Sequence, residues 1–351
     1  LKTIHSKYVI VGAGLSGLTT AYSLIENGEE DFIILEARDR IGGRILTKDG
    51  IDLGATWFQD HHVNLSKLLD TLSIHKFEQY SKGKSVLVYN TMAPAHYFES
   101  QHNGPSAYRI ADGSIAVINK LANKLEGKIH LKSIVTSINE CDDKISLTTN
   151  GKTYFAEKSI ITLPPKLASE MDFSPELPKS LLQTMKFTHT WMSNAIKVGI
   201  LFNKPFWKEK DFSGTVIGQV GSVIELYDHC DHKENTFALM GFINEGLRET
   251  KAKIRQEKVL DYLTKYLGEE VKSYTAYFEK DWSKDPQTSC ENLKSVYMSP
   301  QYGNEIYNEW HCNGKLLFSG TETSPMYGGY LDGAVYSGLN AAKKLLNKEL
   351  V

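Results

Sequence analysis

Residues 8–22 read YVIVGAGLSGLTTAY and residues 32–44 read FIILEARDRIGGR. The apolar run 8–11 predicts a buried strand, and residues 13–24 predict a helix that opens at the glycines. Each glycine has its own physical reason. Gly12 permits a tight turn, Gly14 lets a pyrophosphate approach the backbone, and Gly17 lets the helix pack against a sheet. Phosphates would rest at the helix N-terminus, where free N–H groups and the dipole favour negative charge. Glu36 ends a second apolar run about twenty residues on, where a carboxylate accepts both hydroxyls of an adenosine ribose. Strand, helix and acid agree, so this stretch is expected to bind a dinucleotide.

The chain has 351 residues. That is long enough to bury a full core and to form two domains. A formal charge of -2, spread without a basic block, argues against nucleic acid and acidic membrane surfaces as partners. No segment approaches the roughly twenty apolar residues of a membrane span, and residues 1–7 hold no signal-peptide core. A soluble, cytoplasmic protein is therefore expected. Cys141, Cys230, Cys290 and Cys312 are scattered and form no CxxC pair, so neither zinc nor a disulfide framework is expected. Asp228, His229, Cys230, Asp231 and His232 are all possible metal ligands. They follow a strand-like run and precede Lys233, Glu234 and Asn235, so a solvated hairpin loop is expected and no metal. His61 and His62 read as ordinary residues at a loop or helix entry.

Strand, helix and strand alternate over the first seventy-odd residues, and a helix is expected at 64–72. Residues 80–101 are mixed and turn-rich. A helix at 112–125 leads into strand-like runs at 129–138, 145–149 and 154–163, which Pro164 and Pro165 end because proline cannot donate to a ladder. Residues 166–281 alternate helices and strands without glycine-rich nucleotide turns, as a substrate domain would. Residues 316–346 read strand, glycine-rich turn and helix, a return to the nucleotide domain.

One GxGxxG fingerprint is present. A flavoenzyme fed by NADPH would usually carry a second, so electrons are expected to leave by another route, with dioxygen the simplest acceptor. The far end, FSGTETSPMYGGYLDGAVYSGLNAAKKLL, is the second strong signal. Gly320, Gly328 and Gly329 allow close backbone approach, and Asp332 suits a first helical turn. A helix N-terminus aimed at the pyrimidine side of a flavin would stabilise its reduced, anionic form. In NAIKVGILF, Ile196, Val198, Ile200 and Phe202 share one strand face, while Ala195, Lys197 and Gly199 share the other. A lysine between two small residues can lie close to a flat ligand.

These stretches, with DLGATWF, ADGSIAVINKLANKL, SIITLPP, AIKVGILFNKPFW and ALMGFI between them, make the sequence similar to the flavin-containing amine oxidases. That family includes monoamine, polyamine and L-amino-acid oxidases. The resemblance implies an α/β fold: a glutathione-reductase-type, Rossmann-like FAD-binding domain from residues 1–75, 105–165 and 285–351, and a mixed sheet-and-helix substrate domain from 76–104 and 166–284. It implies Glu36 at the adenosine ribose, Gly43 and Arg44 at the pyrophosphate or ribityl side, and Val135 at the adenine. Ala55, Thr56 and Trp57 would lie near the isoalloxazine, and Glu322 at the ribityl and phosphate region. Gly12, Gly14, Gly17, Arg38, Gly54, Gly320, Tyr330 and Leu331 complete the expected cofactor contacts.

For chemistry the resemblance implies Lys197, which holds a water at the reactive flavin nitrogen, Tyr330 as an aromatic wall beside the flavin and the amine, and Trp282 near the flavin. An apolar site suits an amine that must arrive neutral. Monoamine oxidases carry SGGCY, with a flavin-linked cysteine and a second aromatic wall, where this chain has TSCEN. Cys290 is followed by Glu291 and stands one residue closer to Trp282, so non-covalent FAD is expected and the second wall is unassigned. The chain is also shorter than most members, chiefly between Leu72 and Pro105, which implies a smaller substrate domain. The expected activity is oxidation of an amine by hydride transfer to FAD, imine release, and reoxidation by dioxygen to hydrogen peroxide. Two rivals stand beside it: a renalase-like or desaturase-like flavoprotein acting on a dihydronicotinamide or a carbon–carbon bond, and a catalytically silent FAD-binding scaffold.

Overall fold

The computed structural model describes residues 2–90, 92–99, 106–289 and 302–347. Tyr8–Val11 lies at the centre of a five-stranded, all-parallel sheet, flanked by Phe32–Leu35 and Ile129–His130 on one side and by Lys158–Ile161 and Leu316–Phe318 on the other. A parallel sheet must be covered on both faces. Ile10, Ile34, Ile160 and Leu317 pack on one face against Leu18 and Leu24 of the helix Leu15–Glu26 and Val335 and Leu345 of the helix Leu331–Leu345. Val9, Leu35, Ile161 and Phe318 pack on the other face against Ile138, Leu147 and Tyr154 of a second five-stranded sheet. This double burial is why 8–11 reads as a continuous apolar run.

Two sequence-predicted strands divide. The run 154–163 forms Lys152–Ala156 in the second sheet and Lys158–Ile161 in the parallel one, with the break at Glu157, whose N–H donates to the Lys7 carbonyl. The run 129–138 likewise splits into Ile129–His130 and Val135–Cys141 around Lys132, whose φ is 55°. Apolar periodicity carries no mark of a change of sheet.

A seven-stranded sheet follows the spatial order Ala276–Asp281, Ile196–Phe202, Phe237–Ile243, Val223–Asp228, Phe212–Gly218, Lys84–Val88 and His96–Glu99. Ile196, Val198, Ile200, Leu226 and Leu239 pack on one face with Val259, Leu263 and Tyr266 of the helix Ala252–Leu267. The opposite face carries Lys197, paired with Phe242, which is paired in turn with Glu225. Among the described residues no helix is long and apolar enough to cross a membrane.

Candidate active site

The fingerprint glycines form one edge of a cavity. Gly12 has φ 108°, and a Cβ there would meet the Thr162 hydroxyl at 2.4 Å, so only glycine makes the turn. A Cβ on Gly17 would meet the Gly12 carbonyl oxygen at 2.0 Å, which is the close helix packing its position in the motif requires. A Cβ on Gly14 would meet nothing within 4 Å: it faces the open cavity. The second glycine pair locks to the first, since Gly42 donates to the Ala13 carbonyl at 2.8 Å and Gly14 bridges Gly42. Neither the helix Leu15–Glu26 nor the helix Leu331–Leu345 has a side-chain cap, and the first residues of both line this cavity. Two helix N-termini thus present unsatisfied N–H groups to one space.

That cavity holds about 1040 Å³ of empty space, mouth included, and Gly12, Gly14, Glu36, Arg38, Gly43, Arg44, Ala55, Val135, Gly320, Tyr330 and Leu331 line it. Glu36 is buried; its carboxylate accepts from the backbone N–H groups of Ala13 at 2.8 Å and Arg38 at 2.9 Å. Both bonds hold the acid in place while leaving lone pairs for a ligand. The Arg38 guanidinium donates to Asp285 at 2.7 Å and to Thr288 at 2.9 Å.

A second cavity, about 1340 Å³ with its mouth, adjoins the first and is lined by Gly54, Ala55, Thr56, Trp57, Lys197, Tyr330 and Leu331. Six residues line both: Ala55, Trp191, Met192, Gly329, Tyr330 and Leu331. Lys197 is buried, and its amine donates to the Gly54 carbonyl at 2.7 Å, the Thr56 hydroxyl at 2.8 Å and the Asp52 carbonyl at 3.2 Å. Gly199 makes this possible, since a Cβ there would meet Ile51 at 2.5 Å and hold off the ribbon that carries those acceptors. Burial lowers the Lys197 amine to about 7, with the nearby Asp52 carboxylate opposing the shift and Arg109 adding to it. Asp52 is itself pushed up by burial, against donors from Thr47 and the Ser114 N–H. His229 donates nothing to Asp52: its Nε2 accepts from the Asp52 N–H at 3.1 Å, and burial with the neighbouring Arg109 and Lys197 keeps the ring neutral. The rings of Trp57 and Phe242 stand 5.0 and 5.2 Å from the Lys197 nitrogen.

Three expected site residues line neither cavity. Glu322 is fully buried, and its carboxylate accepts from both terminal guanidinium nitrogens of Arg44, which it holds at the cavity edge. Trp282, expected near a flavin, is fully buried and donates its indole N–H to the Leu53 carbonyl at 2.7 Å, which positions the strand before Gly54. Gly17 is the third, for the packing reason given. Cys290 and Glu291 lie outside the described residues.

The loop at 228–232 is not solvated at its start. Asp228, His229 and Cys230 are buried, with the Asp228 carboxylate accepting from the Trp207 indole at 2.9 Å and Arg109 donating to the carbonyls of Asp228 and Cys230. No group of three or more possible metal ligands gathers among the described residues. His62 is also buried, 5.1 Å from Tyr330 between ring centroids, and burial lowers its pKa. Sequence reasoning missed Trp191, Phe242 and Glu225 on the second cavity's wall. Phe242 was within reach, because ALMGFI alternates like its neighbour. Glu225 was not: the ladder shifts register between Val223 and Glu225, and such a bulge re-aims the side chains beyond it.

A glycine-cradled cavity that shares a wall with an aromatic chamber and a buried lysine has the features a cofactor-dependent oxidoreductase requires. The family of flavin containing amine oxidoreductases matches residues 15–92 and 84–346, and the chain belongs to it. Its cofactor is a flavin and it is a flavin-dependent amine oxidoreductase. The probable flavin-containing monoamine oxidase A of Dictyostelium discoideum is 24% identical, covering 97% of this chain and 98% of its own. The flavin-containing amine oxidase A of Canis lupus familiaris is 26% identical over 97% of this chain and 84% of its own. Among solved structures, putrescine oxidase bound to putrescine superposes with a TM-score of 0.85 at 22% identity, over 99% of this chain and 100% of that one. Cyclohexylamine oxidase from Brevibacterium oxydans IH-35A gives 0.84 at 20% identity, over 97% and 99%. The mixed α/β fold is therefore that of flavin amine oxidases.

Proposed function

We propose that the first cavity holds FAD without a covalent link and that the second receives an amine. The observation that carries this is the shared wall: Ala55, Trp191, Met192, Gly329, Tyr330 and Leu331 border both spaces, so a cofactor filling one presents its end to the other. The residues present fit the group. Glu36 suits a ribose, the helix beginning at Leu15 suits a pyrophosphate, and Gly14 leaves the room a side chain would fill. Gly12, Gly43 and Arg44 would border the phosphates, Val135 the adenine, and Gly54 to Trp57 the ring system. The helix beginning at Leu331 is directed to favour negative charge at the shared wall.

Bound there, FAD would take a hydride from the carbon bearing the amine, leaving an imine for hydrolysis, and dioxygen would return it to the oxidised state with release of hydrogen peroxide. The chain's own residues bind, shield and move protons. Trp57, Trp191, Phe242 and Tyr330 give the chamber an apolar wall, which would favour the neutral amine over its ammonium form once a ligand displaces water from it. Lys197 holds or releases a proton at its Nζ, because burial has brought that group to about 7. Trp282 and Glu322 act through neighbours, Leu53 and Arg44.

We assign residues 1–75, 105–165 and 285–351 to the cofactor domain and 76–104 and 166–284 to the substrate domain. Every strand of the parallel sheet falls in the first set and every strand of the seven-stranded sheet in the second. Two short strands cross that division, Lys76–Glu78 against Ala107–Ile110 and Asp172–Ser174 against Val135–Cys141. The test is an anaerobic screen of flavin bleaching over primary amines, polyamines and amino acids, followed by peroxide release in air. Bleaching by at least one amine class is expected, and flavin that none of them bleaches rejects the proposal.

A further inference from the structure

Glu225 stands in the wrong place for an ordinary surface acid. It lines the amine chamber, on the same sheet face as Lys197 and two strands away from it, with Phe242 between them in register. Strands lie about 4.8 Å apart, so the backbones of Lys197 and Glu225 are about 10 Å apart. Val223 and Leu226 are buried in the core, and the bulge between Val223 and Glu225 turns Glu225 and Tyr227 away from it. One carboxylate oxygen accepts from the Tyr227 hydroxyl at 2.9 Å. Burial and the Glu225 charge push that hydroxyl well above its usual range, so it remains a donor. Tyr227 is itself held edge-on by Trp57, 5.1 Å between centroids, and Trp57 lines the chamber too. The other carboxylate oxygen has no hydrogen-bond partner, and Glu225 is in no ion pair, among the described residues.

Glu225 is part-buried at an aromatic wall, where an opposite charge is attracted more strongly than in open water. The lysine nearest in the row is committed to the loop 52–56. Among the described residues no side chain supplies a counter-charge to Glu225, and a ligand can bring one at the end remote from the reacting carbon. We propose that Glu225 is a specificity-determining residue that binds a second ammonium group, so that the substrate class is the α,ω-diamines and longer polyamines. One nitrogen lies neutral at the shared wall, and the other stays protonated against Glu225. This rests on the amine-oxidation proposal. Glu245, also on the chamber wall, is already bonded to the Asn194 amide, which in turn accepts from Arg248. Its charge is thus partly met by protein.

The experiment compares α,ω-diaminoalkanes with n-alkylamines of equal length on the flavin-loaded enzyme, by KM and by anaerobic reduction rate. Wild type should prefer the diamine in KM, and Glu225→Gln should reduce that preference about 10- to 100-fold, the worth of one charge-assisted hydrogen bond. Glu225→Asp, with a shorter side chain, should move the optimum to a longer diamine, which a merely structural role would not do. Butyltrimethylammonium, which cannot be oxidised, gives a binding readout through the flavin absorbance and should bind Glu225→Gln more weakly. Equal KM for diamine and monoamine in wild type, or an unmoved chain-length optimum in Glu225→Asp, overturns the subsite while amine oxidation stands. Flavin that no amine bleaches overturns both.

Discussion

Lys197 is pulled in two directions. Three oxygen acceptors around its amine favour the ammonium, while full burial against Trp57 and Phe242 favours the neutral form, and the balance falls at about 7. Two outcomes follow for Lys197→Met. The variant should keep its flavin, but the reduction or reoxidation rate should fall by about 100-fold or more, and any inflection near pH 7 in that rate should disappear in stopped-flow measurements. Unchanged rates would remove Lys197 from the chemistry. Stability shifts as well, with a definite sign. Between about pH 7 and the ordinary lysine value of 10.5 the unfolded chain holds a proton that the folded one lacks. Raising the pH through that window therefore stabilises wild type relative to Lys197→Met, as paired urea titrations would show. Tyr330, half exposed at the shared wall and beside the His62 ring, gives a simpler expectation. Tyr330→Ala should raise KM or slow reduction for amines, and an unaltered amine profile would exclude it from the pocket.

At the scale of elements, the two glycines around the first helical turn have opposite duties. Gly17→Ala would drive a Cβ into the Gly12 carbonyl oxygen, so the helix must move off the sheet. The expected loss is about 3 kcal/mol or more, the upper range for overpacking, seen as a lower denaturation midpoint with or without flavin. Gly14→Val adds its side chain to open space in the cofactor cavity. Its denaturation midpoint without flavin should match wild type while flavin content falls. Equal flavin content in Gly14→Val would show that the cavity is not the cofactor's. The last helix shows the same division of labour. Its N-terminus stays uncapped at the shared wall, because the Asp332 carboxylate in its first turn accepts instead from the Leu65 N–H and the Asn64 amide of the helix Val63–Thr71. One acid thus caps a neighbour and leaves its own helix free to face a ligand.

For the whole molecule, the cofactor cavity joins residues far apart in the chain: the loop after Val11, the turn at Gly42, Val135, Thr162 and the run 320–334. A ligand spanning them should stabilise the fold as a unit. FAD at 100 times its Kd should add about 2.7 kcal/mol to unfolding, as one shifted transition; a shift confined to an early partial transition would mean that the substrate side folds independently of it.

Much of this architecture was legible along the chain, because its causes are local. The strand Tyr8–Val11 and the helix beginning at Leu15 follow from a buried apolar run and from glycines that a turn or a close contact demands. The alternation in NAIKVGILF correctly separates the core face of Ile196, Val198 and Ile200 from that of Lys197. The sites that escaped reading depend on partners distant in sequence. Trp282 and Glu322 carry motif positions suggestive of ligand contact, yet the Leu53 carbonyl and the Arg44 guanidinium take up their polar atoms. Asp228 and His229 look like loop residues until Trp207, Arg109 and Asp52 close over them.

By itself, then, the sequence determined what backbone geometry and side-chain periodicity dictate within one element: the glycine turn, the strands Tyr8–Val11 and Phe32–Leu35, and the face on which Lys197 stands. Only the tertiary structure decided which polar groups remain free. That is a matter of long-range pairing and of bulges that reset a strand's register, and it is why the Glu225 oxygen that has no partner among the described residues could be found only in the folded chain.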